Sequence, residues 1–166
     1  MLRCKKAVYV FLTLSLGFFH GCAPKEYGKQ ESAFILFKTP SFKYADLGFV
    51  YENKDEIKVE IYGSGKALMQ LEITAKKICM GVLACMDKKD FNTKVLNRSY
   101  PDDLIENIFR AKAIFHAEGL QKKRNGFTQN ILKPRQYDIK YTVFNKEIYF
   151  HDRINHIAIQ VKRMGS

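Results

Sequence analysis

The chain has 166 residues, 46% of them hydrophobic and 13% aromatic, which is enough for one packed domain and leaves little room for a second. That composition excludes disordered and collagen-like classes. With 28 Lys and Arg against 17 Asp and Glu, the net charge of +11 raises nucleic acid as a partner until the basic residues are located along the chain.

Arg3, Lys5 and Lys6 form a positive start, and Ala7 to Phe19 is a thirteen-residue apolar run. A membrane span needs about 20 residues, so the run matches the core of an export signal instead. It ends at Gly21-Cys22, followed by Ala23, Pro24 and a polar stretch. This resembles a bacterial lipoprotein signal, although Phe19 stands where Leu is commonest and His20 where Ala or Ser is. Residues 1–21 are therefore expected to be removed, with Cys22 as the lipid-attachment site. A simple cleaved signal with a free Cys22, and an uncleaved anchor, are the alternatives. Two or three acyl chains hold a protein stably to a bilayer that it does not span. By the sorting rule of enteric bacteria, Ala23 after the Cys favours the outer membrane, with the domain facing the periplasm.

Three basic residues and no acidic one precede Cys22, leaving 25 against 17 and a net charge of +8 beyond it. Cys79 and Cys85 are then the remaining cysteines. In an oxidising compartment they are able to pair across a short loop, a closure worth roughly 2 kcal/mol; two reduced, buried thiols are the other reading. No metal is expected there, because no His or further Cys flanks them at zinc-ligand spacing.

Residues 22–32 read as the lipidated Cys and a polar tether, and 33–166 as a single β-rich domain. Ala33 to Thr39 is expected as a strand stopped by Pro40, and Phe42 to Glu52 as a second. Ile57 to Tyr62 alternates apolar and polar, Gly63-Ser64-Gly65 makes a tight turn, and the next strand places Ala67, Met69, Leu71 and Ile73 inward. Asp87 and Ser99 each stand three residues before an acid, which predicts two helix starts. Phe91, Val95 and Leu96 follow the first, and Leu104, Ile105, Ile108 and Phe109 follow the second on one face. After this helical insert come strands near Ala113 to Ala117, Phe127 to Leu132, Tyr137 to Phe144, Glu147 to Asp152 and Asn155 to Lys162, with a basic turn at Lys122 to Gly126. The fold class predicted is mainly β (α+β): a curved antiparallel sheet or half-barrel covered by a short helical insert.

Signals of catalysis are thin. There is no G-x-S-x-G, Walker-type loop or H-E-x-x-H. His116, His151 and His156 read as surface or edge histidines, Asp102-Asp103 belongs with a helix start, and Cys79 has no evident base. The protein is read as not an enzyme, with no cofactor. Nucleic acid is disfavoured too, because the basic residues scatter over outward strand positions and turns and no recognition motif is present. The denser Lys122-Lys123-Arg124 cluster reads as a solvated turn, or as a contact to anionic lipid. Ile78 to Met86 is apolar for a loop; it reads either as a strand or turn tucked into the core or as a protrusion touching membrane, with Val82 and Leu83 at its tip.

Three stretches carry a family resemblance: DEIKVEIYGSGKALMQLEI (Asp55 to Ile73), FNTKVLNRSYPDDLIENI (Phe91 to Ile108) and KEIYFHDRINHIAIQVKR (Lys146 to Arg163). With the anchored Cys and the helical insert after the fourth long strand, the pattern resembles the LolB outer-membrane lipoprotein receptors and their periplasmic LolA carrier relatives. That resemblance implies an apolar cavity that receives the acyl chains of lipoproteins from a soluble carrier and delivers them to the outer membrane, a transport chaperone without nucleotide or covalent chemistry. Its lining would be Val59, Ile61, Met69, Leu71, Ile73, Ile139, Tyr141, Ile157 and Ile159, with Leu104, Ile105 and Ile108 on the lid. Leu83 would take the part of the family's membrane-inserting loop residue. The sequence departs from the family in lacking an early N-terminal helix and in having two cysteines around that loop.

Overall fold

Alternation of apolar and polar side chains is the main instruction in this chain, and it produces strands almost throughout. A computed structural model describes residues 26–81 and 84–164. The signal expected at 1–21, Cys22, Ala23 and the first part of the expected tether lie outside the described residues, as do Val82 and Leu83. Eleven strands form one antiparallel sheet: β1 (Lys29–Lys38), β2 (Lys43–Glu52), β3 (Glu56–Gly63), β4 (Lys66–Thr74), β5 (Lys77–Met80), β6 (Ala84–Asp87), β7 (Leu120–Lys123), β8 (Gly126–Lys133), β9 (Tyr137–Phe144), β10 (Glu147–Asp152) and β11 (Ile157–Arg163). The order is β6-β5-β4-β3-β2-β1-β11-β10-β9-β8-β7, so the first and last strands meet at the centre and β6 and β7 are the two edges. The open edges leave a half-barrel-like sheet. The chain crosses from one edge to the other through α1 (Lys88–Val95), α2 (Leu104–Phe109) and a short 3₁₀ turn at Phe115–Ala117.

Register places the apolar rows opposite one another. Ile35 faces Val161 and Phe37 faces Ile159 across the central pair, Val59 faces Leu71 and Ile57 faces Ile73 in the β3–β4 hairpin, and Tyr141 faces Phe150 between β9 and β10. Each such side chain contributes on the order of 1.5–3 kcal/mol when fully buried. A slip of one residue would turn a whole row to solvent, so the pattern itself fixes the pairing. The helical insert supplies the other half of the core: α1 packs on β5 and β6, α2 reaches β10, and Phe91, Leu104, Ile105, Ile108 and Phe109 are buried in the same cluster as the sheet side chains.

The helix starts are half as expected. Asp87 caps α1 by accepting from the Asp90 amide at 2.7 Å, and Lys94 pairs with Asp90 along its surface at 2.9 Å. The second helix begins later than a Ser99 cap predicts, after Asp103, which makes no side-chain cap bond. Asn97 Oδ1 takes the Ser99 amide at 2.8 Å, and Pro101 accepts from the Leu104 amide at 3.1 Å, so two turns use up the chain first.

Four strand readings are corrected. Ala113 to Ala117 is not a strand: Phe115, His116 and Ala117 have φ of 47°, 52° and 66°, a left-handed run that no ladder accepts. Ala67 is exposed and not inward, because a bulge between Ile61 and Tyr62 leaves Leu68 as an extra residue and shifts the side-chain phase toward the turn. Lys122 and Lys123 belong to β7, leaving Arg124 and Asn125 as the turn. β1 takes in Lys29 to Ser32, residues that read as tether, because they pair with Phe49 to Glu52 of β2. The tight β3–β4 turn is as expected: Ser64 and Gly65 have φ of 50° and 75°, the pair of positive values that a two-residue hairpin loop of matching twist requires.

Candidate functional site: the interior between sheet and insert

The twelve residues expected to line a cavity come together. Val59 and Ile61 on β3, Met69, Leu71 and Ile73 on β4, Ile139 and Tyr141 on β9, Ile157 and Ile159 on β11, and Leu104, Ile105 and Ile108 on α2 are all 0–5% exposed and share one core. They are joined there by Ile35, Phe37, Ile78, Phe91, Ile114 and Phe150, residues that sequence patterning left out of the site. With the insert seated, these side chains pack on one another. Open clefts lie elsewhere: one of about 620 Å³ runs past Glu31, Asn145 and Lys146, and an apolar one of about 170 Å³ lies between Leu47, Phe49, Tyr62 and Met164 on the convex side. None of the twelve lines either cleft.

Polar ties hold the insert over the interior at several points. Arg110 follows α2, and its side chain is 7% exposed. It donates to Glu52 Oε1 and the Asn53 carbonyl at 2.9 Å each, to the Lys54 carbonyl at 3.0 Å and to Glu106 Oε1 at 3.1 Å. Lys88, the first residue of α1, donates to Glu106 Oε2 at 2.8 Å, so both helices share one carboxylate. Burial alone would raise Glu106, but the Lys88 and Arg110 cations outweigh it and hold the carboxyl below its ordinary range.

The opposite end of the insert is tied to the β10–β11 turn. Asp152 is fully buried; its carboxylate accepts from the Tyr100 hydroxyl, from Asn155 Nδ2 at 2.7 Å and from the amides of Asp138, Ile154 and Asn155 at 3.0–3.2 Å. Burial and the adjoining carboxylate push the Tyr100 phenol far above its ordinary range. Asn97 Nδ2 adds a bond to Asn155 Oδ1 at 2.6 Å. Beyond α2, Gln129 on β8 grips the segment before and after the 3₁₀ turn: Nε2 donates to the Ile114 and Glu118 carbonyls at 2.9 and 2.7 Å, and Oε1 accepts from the Ile114 amide at 2.8 Å. Sequence reasoning missed Gln129, Asp152 and Arg110. Their only local signal is a polar residue at an inward strand position or at a helix end.

Tyr141 differs from the rest of the lining. Its hydroxyl is buried and has no hydrogen-bond partner among the described residues, and burial raises its pKa. The Ile78 to Met86 segment is a hairpin at the sheet edge, β5 and β6, closed by a Cys79–Cys85 disulfide between directly opposed residues. Ile78 is fully buried and Met80 and Met86 pack partly on the core, so the base of this hairpin is tucked in. His116 lies in the 3₁₀ turn, His151 on β10 and His156 in the β10–β11 turn; among the described residues no group of three or more His, Cys, Asp or Glu is placed to hold a metal ion. No helix among them is long and apolar enough to cross a membrane.

No protein-family model matches this sequence, and no curated protein matches it.

Proposed function

We propose that the protein is a lipid-anchored bacterial envelope protein of the LolA/LolB type, held to the outer membrane through Cys22, that takes acyl chains between its sheet and its helical insert. In this reading it receives acylated lipoproteins from a periplasmic carrier and passes them to the bilayer, without cofactor, covalent chemistry or nucleic acid. The observation that carries it is the unpaired gap between β6 and β7: the chain spans it with two short helices that share an apolar core with the concave face and are tied down by separable polar contacts. A plug of that kind is displaced as a unit, exposing Val59, Leu71, Ile139 and Ile159 to an acyl chain of matching chemistry. Transfer then follows differences in apolar burial between carrier, receptor and bilayer, at about 0.8 kcal/mol per methylene. Val82 and Leu83, which follow β5 and precede β6 in the sequence, are the residues proposed to touch membrane.

The burial of all twelve lining residues to 5% exposure or less favours a second reading, an accessory envelope lipoprotein that binds another protein and whose interior is filled by its own side chains. The whole chain carrying Cys22→Ser separates the two. Saturable binding of a fluorescent acyl ester, or lipid that co-purifies, supports the receptor; a protein that binds neither belongs to the second reading. Mass spectrometry of the mature N-terminus and fractionation of Cys22→Ser test the anchor, and an unmodified soluble protein removes it.

A further inference from the structure

The buried hydroxyl of Tyr141 has no purpose in the closed interior. Its ring packs against Phe127 and Phe150, with centroids 5.6 and 6.3 Å away. Its cross-strand neighbours are Phe150, whose ring carries no hydrogen-bonding group, and Gln129, whose amide bonds the Ile114 and Glu118 backbone and not the Tyr141 hydroxyl. A phenylalanine would fill this place without the cost of leaving a buried polar group unpaired. The chain nevertheless puts a hydroxyl there, among side chains that, Gln129 apart, are aliphatic or aromatic.

We infer that the Tyr141 hydroxyl is the polar anchor of the interior, donating a hydrogen bond to the ester or amide carbonyl of an acyl chain bound there. The inference rests on the acyl-binding reading above and specifies which part of the ligand is recognised. The acceptor is a neutral one. The buried Arg110 side chain is committed to Glu52, Glu106 and two backbone carbonyls, and no Lys or Arg stands among the core residues around Tyr141, so a free carboxylate would enter uncompensated, at a far greater cost than a carbonyl. A carbonyl brings one acceptor on an otherwise apolar body, which matches the one unpaired donor of a mostly apolar wall. The chemical class that fits is an esterified or amide-linked acyl chain, as on a glycerolipid or an acylated protein, and neither a free fatty acid nor a plain hydrocarbon.

The test uses the whole chain with Cys22→Ser, so that no anchor competes for the site, and two probes: a pyrene-labelled dodecanoate methyl ester and the pyrene-labelled hydrocarbon of equal length. Tyr141→Phe is expected to weaken the ester about tenfold while leaving the hydrocarbon unchanged. With a carbon-13 carbonyl, the ester bound to the unsubstituted protein shows a lowered carbonyl stretching frequency that Tyr141→Phe abolishes. Unliganded, the variant unfolds at the same temperature or higher, since it loses a group without a partner; a midpoint several degrees lower would show that the hydroxyl is already bonded and overturn the assignment. Equal ester affinity in both proteins overturns it as well. If neither probe binds the unsubstituted protein, it is the acyl-binding reading that fails, and the anchor with it.

Discussion

Arg110 and Glu52 lie 58 residues apart in sequence and meet at 2.9 Å, joining the end of the helical insert to the last residue of β2. The same guanidinium also binds Glu106 and two carbonyls of the β2–β3 turn, so one side chain holds α2, a strand end and a turn together. Arg110→Ala leaves those carbonyls and a half-buried carboxylate without their donor. A loss of about 2 kcal/mol is expected, read as a lower urea midpoint with unchanged slope. Faster uptake of an acyl probe should accompany it. An unchanged midpoint would mean the contact is solvated and idle.

Glu106 gives the insert a dependence on acid. Its folded pKa lies below the unfolded value, so its contribution is fully present above the unfolded carboxylate pKa and is lost as pH falls through the folded one. Thermal midpoints between pH 7 and 3 should fall on the acid side, and Glu106→Gln should flatten part of that fall while lowering the midpoint at pH 7. Because the Glu106 side chain is 27% exposed, solvent screens the effect and the change in slope is expected to be small. Parallel curves for the two proteins would assign the acid sensitivity to other carboxylates.

Asp152→Ala removes an acceptor that collects donors from a tyrosine, an asparagine and three backbone amides in a fully buried place. Destabilisation of about 3 kcal/mol is expected. Hydrogen exchange is the more specific readout. Amides of residues 97–104 and 153–156 should lose protection together, while those of β3 and β4 follow only the global change; uniform loss everywhere would argue against a local clasp.

The disulfide closes an edge hairpin whose sequence separation is 6. Replacing both Cys79 and Cys85 by Ser should lower stability by about 2 kcal/mol and leave the rest of the sheet in place. Faster exchange at β5 and β6, with β8 to β11 unaffected, is the expected pattern. Equal stability of oxidised and reduced protein would show that the cross-strand pairing alone already fixes this edge.

What the sequence made legible follows from the range of each interaction. Strict alternation in Ile57 to Tyr62 and Tyr137 to Phe144 reports a local property, a strand with one apolar face, and both strands are found there, but the other face of β3 is not wet throughout, since Glu60 is buried against Lys58 and Tyr62. Since the inward rows of one curved sheet converge, the nine strand residues among the twelve candidates had to meet, and the apolar face of α2 brings Leu104, Ile105 and Ile108 to them. Ala67 was misplaced because a bulge adds one residue without altering composition. Ala113 to Ala117 resembles a strand locally, and a glutamine more than ten residues downstream forces it into a left-handed turn. The clasp residues were hidden for the same reason: besides any local bonds, Arg110, Gln129 and Asp152 each reach partners 11 to 58 residues away, and no periodicity encodes such a pairing.

The central place of β1 and β11 decides how this molecule is assembled. Every other sheet contact joins neighbours in the chain, so the ladders β1 to β6 and β7 to β11 are able to form hairpin by hairpin while synthesis proceeds. Their union must wait for the last strand, since Ala33 pairs with Arg163 and Lys38 with Ala158. Until then each half offers a bare strand at what will become the middle of the sheet, and closure is the slow, long-range step. A chain cut short before β11 would therefore be two sticky half-sheets, and a holdase that shields newly made protein would find its target at β1.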